Sequence, residues 1–155
     1  MNLLLHLLVS AGIIMGGPDP IEADIAWVAE GQFCEPETVL ALPDDTLLVS
    51  NVCDFRQQGN GFLTLLDRQG EAIDWRVLEG LDAPLGMAML GNRLYIVDNN
   101  RLKIFGWPEY ELLETIDLNT SVANDVAVSG NAVAYVTDTA KHQVIRLLPD
   151  GTRSV

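Results

Sequence analysis

After residue 30, apolar and polar positions alternate at the period of a strand rather than that of a helix. Leu47/Val49, Leu94/Ile96 and Tyr135/Thr137 each fall two apart, among β-branched and aromatic neighbours. No stretch there carries an i, i+3, i+4, i+7 apolar stripe free of turn residues. Val39-Leu40-Ala41-Leu42 and Leu47-Leu48-Val49-Ser50 flank Pro43-Asp44-Asp45-Thr46, which predicts a hairpin with a four-residue turn. Pairing Leu42 with Leu47 would carry Thr38 opposite Asn51 and Pro36 opposite Cys53, leaving Cys34 about one diagonal step from Cys53.

The same pattern recurs. Pro36–Leu42 leads through a polar turn to Leu47–Asn51, Pro84–Met89 through Gly91-Asn92 to Leu94–Asp98, and Ala123–Val128 through Gly130-Asn131 to Ala134–Asp138. A third strand follows each pair, at Gly61–Leu66, Leu102–Phe105 and Gln143–Leu147. A more polar fourth is visible around Ala72–Trp75 and Leu112–Ile116. The strand-end residues Asn51, Asp98 and Asp138 are 47 and 40 residues apart, the longer interval containing the polar Asp54–Asn60 insertion. Four short strands per ~40 residues, separated by turn signals, predict an all-β propeller of four-stranded antiparallel blades. A β-sandwich would not produce the repeat. The blades fall at about 36–80, 81–120 and 121–155, behind a lead-in of residues 24–35.

The N-terminal segment has a different character. Leu3–Met15 is apolar apart from His6 and Ser10, and is too short for the ~20 residues that a membrane-spanning helix needs. It suits the apolar core of a secretory signal, with Ile21-Glu22-Ala23 as a cleavage site, although Met1-Asn2 supplies no basic start. Residues 1–23 are therefore expected to direct the protein to the periplasm or outside the cell, with an uncleaved N-terminal anchor as the alternative. A Cys34–Cys53 disulfide is compatible with such an oxidising compartment; two free thiols are the alternative.

Composition narrows the partners. Hydrophobic residues make up 48% of the 155, enough to fold, and the formal net charge is −13. Two lysines, Lys103 and Lys141, and seven scattered arginines could not neutralise a row of phosphates, so nucleic acid and anionic membranes are excluded as partners. Without Gly-x-Ser-x-Gly, and with His142 the only histidine beyond the N-terminal segment, there is no catalytic triad. Nor is there a phosphate-binding Gly-x-x-x-x-Gly-Lys loop. His142 is read as solvated, Asn119-Thr120-Ser121 as a chance glycosylation sequon, and Trp27, Trp75 and Trp107 as packing residues. Asn51, Asp98 and Asp138, recurring at strand ends, are read as structural rather than catalytic.

Pro36-Glu37-Thr38-Val39 through Val49-Ser50-Asn51, then Gly59-Asn60-Gly61-Phe62, resemble the first blade of the SMP-30/gluconolactonase/LRE-like family. Gly80–Ala88, Leu94–Asp98, Asn124–Ala127 and Tyr135–Thr139 resemble its second and third blades, and NHL-type propellers share several of these motifs. The resemblance covers roughly residues 33–152. It implies a six-bladed propeller, whose characterised enzymes are metal-dependent lactonases, with three blades present here. A truncated gene product, or two half-propellers pairing as a homodimer, would account for the half ring.

In a propeller the first strand of each blade lines the central channel. Glu37, Gly86 and Asp125 are expected at equivalent places at its mouth, with Asn124 beside Asp125. Hard divalent cations take carboxylate and amide oxygens, so Glu37, Asn124 and Asp125 are the candidate ligands for Ca2+ or Zn2+, with Glu35 as the alternative to Glu37. The resemblance implies a Glu from the first blade and an Asn from an Asn-Asp or Asn-Gly pair. Asn124-Asp125 could equally make local turn bonds. A bound cation could polarise a lactone carbonyl and a carboxylate could act as general base, although the base and the remaining ligands would lie on blades absent here. The alternative is a non-catalytic propeller that binds a ligand or partner protein through its channel face.

Overall fold

The computed structural model describes residues 24–150 and 152–154; the signal-like segment 1–23 lies outside them. The described residues contain no helix, and so none long and apolar enough to cross a membrane. They form three four-stranded antiparallel sheets. The first comprises β1 (Pro36–Ala41), β2 (Leu47–Asn51), β3 (Gly61–Leu66) and β4 (Ala72–Leu81). The second comprises β5 (Pro84–Leu90), β6 (Arg93–Asp98), β7 (Arg101–Gly106) and β8 (Glu111–Asp117). The third comprises β9 (Ala123–Val128), β10 (Ala134–Asp138), β11 (Gln143–Leu147) and the short β12 (Arg153–Ser154). Within each sheet the strands lie side by side in sequence order, and β5 touches both β1 and β9. Three blades thus stand around an axis lined by β1, β5 and β9.

Alternation along β6 explains how the blades stack. Leu94 and Ile96 enter an apolar cluster shared with Leu48, Leu63 and Leu81 of the first blade. Tyr95 and Val97 enter a second cluster with Val126, Val136 and Ile145 of the third. The middle blade is buried on both faces, as a central propeller blade must be. We call the face toward the preceding blade leading and the other trailing. The leading face of the first blade is covered by the lead-in. Trp27, Ala29 and Phe33 lie over Leu47, Val49 and Leu66 there, and Phe33 meets Trp75 edge to face at 5.1 Å.

The register of the first hairpin differs from the sequence expectation. Ala41, not Leu42, pairs with Leu47, because the Leu42 N–H reaches back to the Thr46 carbonyl and makes a five-residue turn. Asp44 fixes that turn by accepting from the backbone N–H and hydroxyl of Thr46 at 3.2 and 2.6 Å. Further along, Val39 pairs with Val49 but Pro36 with Asn51, so three steps on β1 match two on β2. This is a β-bulge. The two one-residue shifts add, bringing Cys34 directly opposite Cys53 instead of one diagonal away. Their Cα atoms are 4.8 Å apart and a disulfide joins them.

Candidate functional site

The bulge recurs at the same step of every innermost strand. Pro84 pairs with Asp98 and Met87 with Ile96; Ala123 pairs with Asp138 and Val126 with Val136. The two residues inside each bulge are therefore Glu37-Thr38, Leu85-Gly86 and Asn124-Asp125. This corrects the expected equivalence of Glu37, Gly86 and Asp125 by one residue. Glu37 matches Leu85 and Asn124, whereas Thr38 matches Gly86 and Asp125. Motif spacing could not reveal this, because a bulge is visible only against the partner strand.

Glu37 is exposed, and its Oε2 accepts from the Thr38 hydroxyl at 2.7 Å. Asn124 is half-buried on β9. Asp125 uses Oδ1 to accept from the Val126 N–H at 2.9 Å, the local bond expected of an Asx side chain. Glu35 sits outside β1 at a φ of +50°, its carbonyl accepting from the Val52 N–H at 3.2 Å. The donors are hard oxygens of the kind a divalent cation takes, but calcium takes six to eight, roughly, and two or three residues fill only part of that sphere. Among the described residues no three His, Cys, Asp or Glu side chains gather closely enough to hold a metal ion.

Hydroxyls on the second strands support the bulges. The Thr38 N–H donates to Ser50 Oγ at 3.0 Å, and the Asp125 N–H to Thr137 Oγ1 at 2.9 Å, in the equivalent place. Ser50 also crosses to the next blade, donating to the Leu85 carbonyl at 3.0 Å. Where β5 and β9 adjoin, Gly86 leaves room for Asp125. A Cβ at 86 would lie 2.2 Å from Asp125 Oδ1 and 2.5 Å from its Cα. These supports escaped the sequence reading, which weighed carboxylates and amides and passed over serine and threonine.

The recurrent strand-end residues are structural, as read from sequence. Asp98 Oδ1 accepts from the Asp82 and Ala83 N–H groups at 2.8 and 2.7 Å, and Lys103 pairs with Oδ2. Asn51 Oδ1 accepts from the Cys34 N–H at 3.0 Å. Asp138 accepts from the Val122 and Ser121 N–H groups at 3.1 and 3.3 Å and from the Gln143 amide at 3.2 Å. Each carries the chain into the first strand of its own blade. The tryptophans pack: Trp27 on Gly70, Trp75 on Gly31 and Phe33, and Trp107 on Tyr110. His142 is exposed in its turn.

No protein-family model matches the sequence, and no curated protein matches it. Two solved structures are similar in fold. One is a calcium-binding protein, regucalcin, from Agrobacterium tumefaciens, at 14% identity and a TM-score of 0.61, matching 77% of this chain and 44% of that one. The other is a protein of unknown function from Bacteroides caccae, at 17% identity and a TM-score of 0.59, matching 84% and 48%. The chain thus spans about half the length of the structures it matches. Three bulged inner strands, three stacked blades and these likenesses lead to one conclusion: the fold is an all-β propeller of four-stranded blades, similar to that of the regucalcin structure.

Proposed function

We propose that this chain is one half of an SMP-30/gluconolactonase-like propeller that binds a divalent cation at the channel mouth and, in a complete ring, opens lactones. The observation that carries this reading is the bulge register. Glu37 and Asn124 occupy the same step of the innermost strands, so a carboxylate and an amide oxygen stand at matched positions of the first and third blades. Glu37 fits better than Glu35, which precedes the strand and is engaged there through its backbone. Oxygen donors without His or Cys favour Ca2+ over Zn2+. The described calcium binding of the Agrobacterium structure accords with that choice.

Glu37 and Asn124 would hold the cation, with Asp125 adjoining. The cation supplies Lewis-acid polarisation of a carbonyl oxygen and acidification of a bound water. This chain's own part is to place donors rigidly: the Ser50 and Thr137 hydroxyls pin the two bulges that present them. The ligand would be a small lactone or sugar acid. Export through residues 1–23 to the periplasm or beyond is supported by the Cys34–Cys53 disulfide, since such bonds persist in oxidising compartments.

Calcium titration followed by thermal unfolding tests the site. The midpoint should rise with Ca2+, because a ligand that binds only the folded state stabilises it. That rise should vanish in Glu37→Gln and in Asn124→Ala. A rise retained in both variants would locate the cation elsewhere and overturn the reading. For the hydrolase part, opening of a simple aldonolactone by a ring-completed propeller, followed by acid release, must exceed the buffer rate.

A further inference from the structure

The three blades enter their innermost strands in equivalent ways, and the first departs from the pattern. Pro36, Pro84 and Ala123 pair with the strand-end residues Asn51, Asp98 and Asp138. The two N–H groups just before each of them therefore occupy matched places. Asp98 and Asp138 each accept from both of theirs. Among the described residues, Asn51 Oδ1 accepts from one only, that of Cys34, at 3.0 Å. Its amide nitrogen turns away, donating to the Val49 carbonyl at 3.2 Å and to the Thr64 hydroxyl at 3.1 Å. An amide oxygen carries no formal charge, and hydrogen bonds to a charged acceptor are about twice as strong as neutral ones. The first blade thus holds this entry by one neutral bond where the other two use a pair of charge-assisted ones. The Cys34–Cys53 disulfide lies at that place. The equivalent pairs, Asp82 with Asn100 and Ser121 with Ala140, have no sulfur to join.

We propose that the Cys34–Cys53 disulfide is a redox-sensitive clasp that positions Glu37, so that the first blade holds its cation tightly only while the bond is formed. The effect on the cation rests on the function proposed above; the clasp itself does not. Glu37 lies in the bulge between two fixed points, the disulfide at residue 34 and the Thr38 N–H on Ser50 Oγ. A dithiol reductant gives two electrons and two protons to the bridge, leaving Cys34 and Cys53 as thiols and becoming a cyclic disulfide itself. The entry to β1 then keeps the single Asn51 bond and two backbone bonds, from the Cys53 N–H to the Cys34 carbonyl and from the Val52 N–H to the Glu35 carbonyl. The second of these has counterparts in the other blades, from Asn99 to Ala83 and from Thr139 to Val122. The edge-to-face contact of Phe33 with Trp75 keeps the lead-in on the blade, so reduction loosens the entry without unfolding the sheet. Asn124 is independent of the bridge, because Asp138 holds the entry of its own blade.

Amide hydrogen exchange and calcium titration test this on the oxidised chain, on the chain reduced with dithiothreitol, and on Cys34→Ser/Cys53→Ser. The sequence has two cysteines, so the reductant acts at this bond alone. Reduction should lower the protection of the Val52 and Thr38 amides about tenfold or more, while Asn99, Thr139 and Asp125, their equivalents, keep theirs. The double variant should exchange like the reduced chain and be indifferent to reductant. The calcium dissociation constant should rise about tenfold or more on reduction, as when a ligand loses its supporting partner, and should return on reoxidation. Protection unchanged by reduction, or lost equally at Asn99 and Thr139, would overturn the clasp. Loss of protection with calcium affinity unchanged would overturn its part in positioning Glu37. If the oxidised chain takes up no calcium while Val52 and Thr38 alone lose protection, the cation reading fails and the clasp stands, so the two readings fail separately.

Discussion

Asp138 shows how much one carboxylate contributes at the end of a strand. Burial pushes its carboxyl up, but backbone N–H groups of Val122, Ser121 and Lys141 and the Gln143 amide favour the charged form, and the balance holds it below the usual carboxylate range. A group depressed in the folded state stabilises the fold above its unfolded pKa, and that contribution is lost as pH falls through the folded value. The urea midpoint of the wild type should therefore exceed that of Asp138→Asn by a constant margin above about pH 5, and the margin should shrink below about pH 4. A margin unchanged down to pH 2 would mean that the charge is not what the backbone recognises. The structural part played by Asn51, Asp98 and Asp138 was legible in the sequence, because they recur at one place in each repeat. The partners of these side chains were not legible, since a strand end says nothing about which N–H groups arrive from the preceding loop.

At the scale of the element, the decisive feature is the bulge on β1, β5 and β9. Its second position is Thr38, Gly86 or Asp125, and only the middle blade has no side chain there. The reason is spatial: a Cβ at 86 would meet the backbone of Asp125, which cannot rotate out of the way. Gly86→Ala should destabilise by about 1–3 kcal/mol, as overpacking does, by prising β5 from β9. Gly130→Ala, where a Cβ meets nothing within 4 Å, should stay within about 0.5 kcal/mol of wild type. Denaturant midpoints of the two variants test this, and equal losses would refute it. The hairpins themselves were readable, because period-two alternation and turn residues are local signals. Their register was not, since the extra turn residue and the bulge each moved it by one, and together they turned a diagonal Cys34–Cys53 approach into a direct one.

At the scale of the whole molecule, the net charge of −13 works against the compact state by self-repulsion. Like charges repel over distances comparable to the Debye length, about 10 Å at 0.1 M salt and 30 Å at 0.01 M. The fold should therefore gain stability as salt rises, because screening weakens the repulsion and leaves the apolar burial intact. Thermal unfolding in low and physiological salt should show the midpoint rising with added NaCl. A midpoint that falls instead would indicate that ion pairs, such as Lys103 with Asp98, outweigh the repulsion.

What the sequence determined by itself is the repeat: strand period, turn chemistry and blade spacing are set by residues close together in the chain, so they can be read there. It also supplied the kinds of donor, Glu37, Asn124 and Asp125, that a cation would take. Only the tertiary structure decided which of them are equivalent and which glycine makes room for a neighbouring strand. Those properties depend on contacts between residues far apart in the chain. A bulge and a disulfide partner exist only relative to the strand that lies against them.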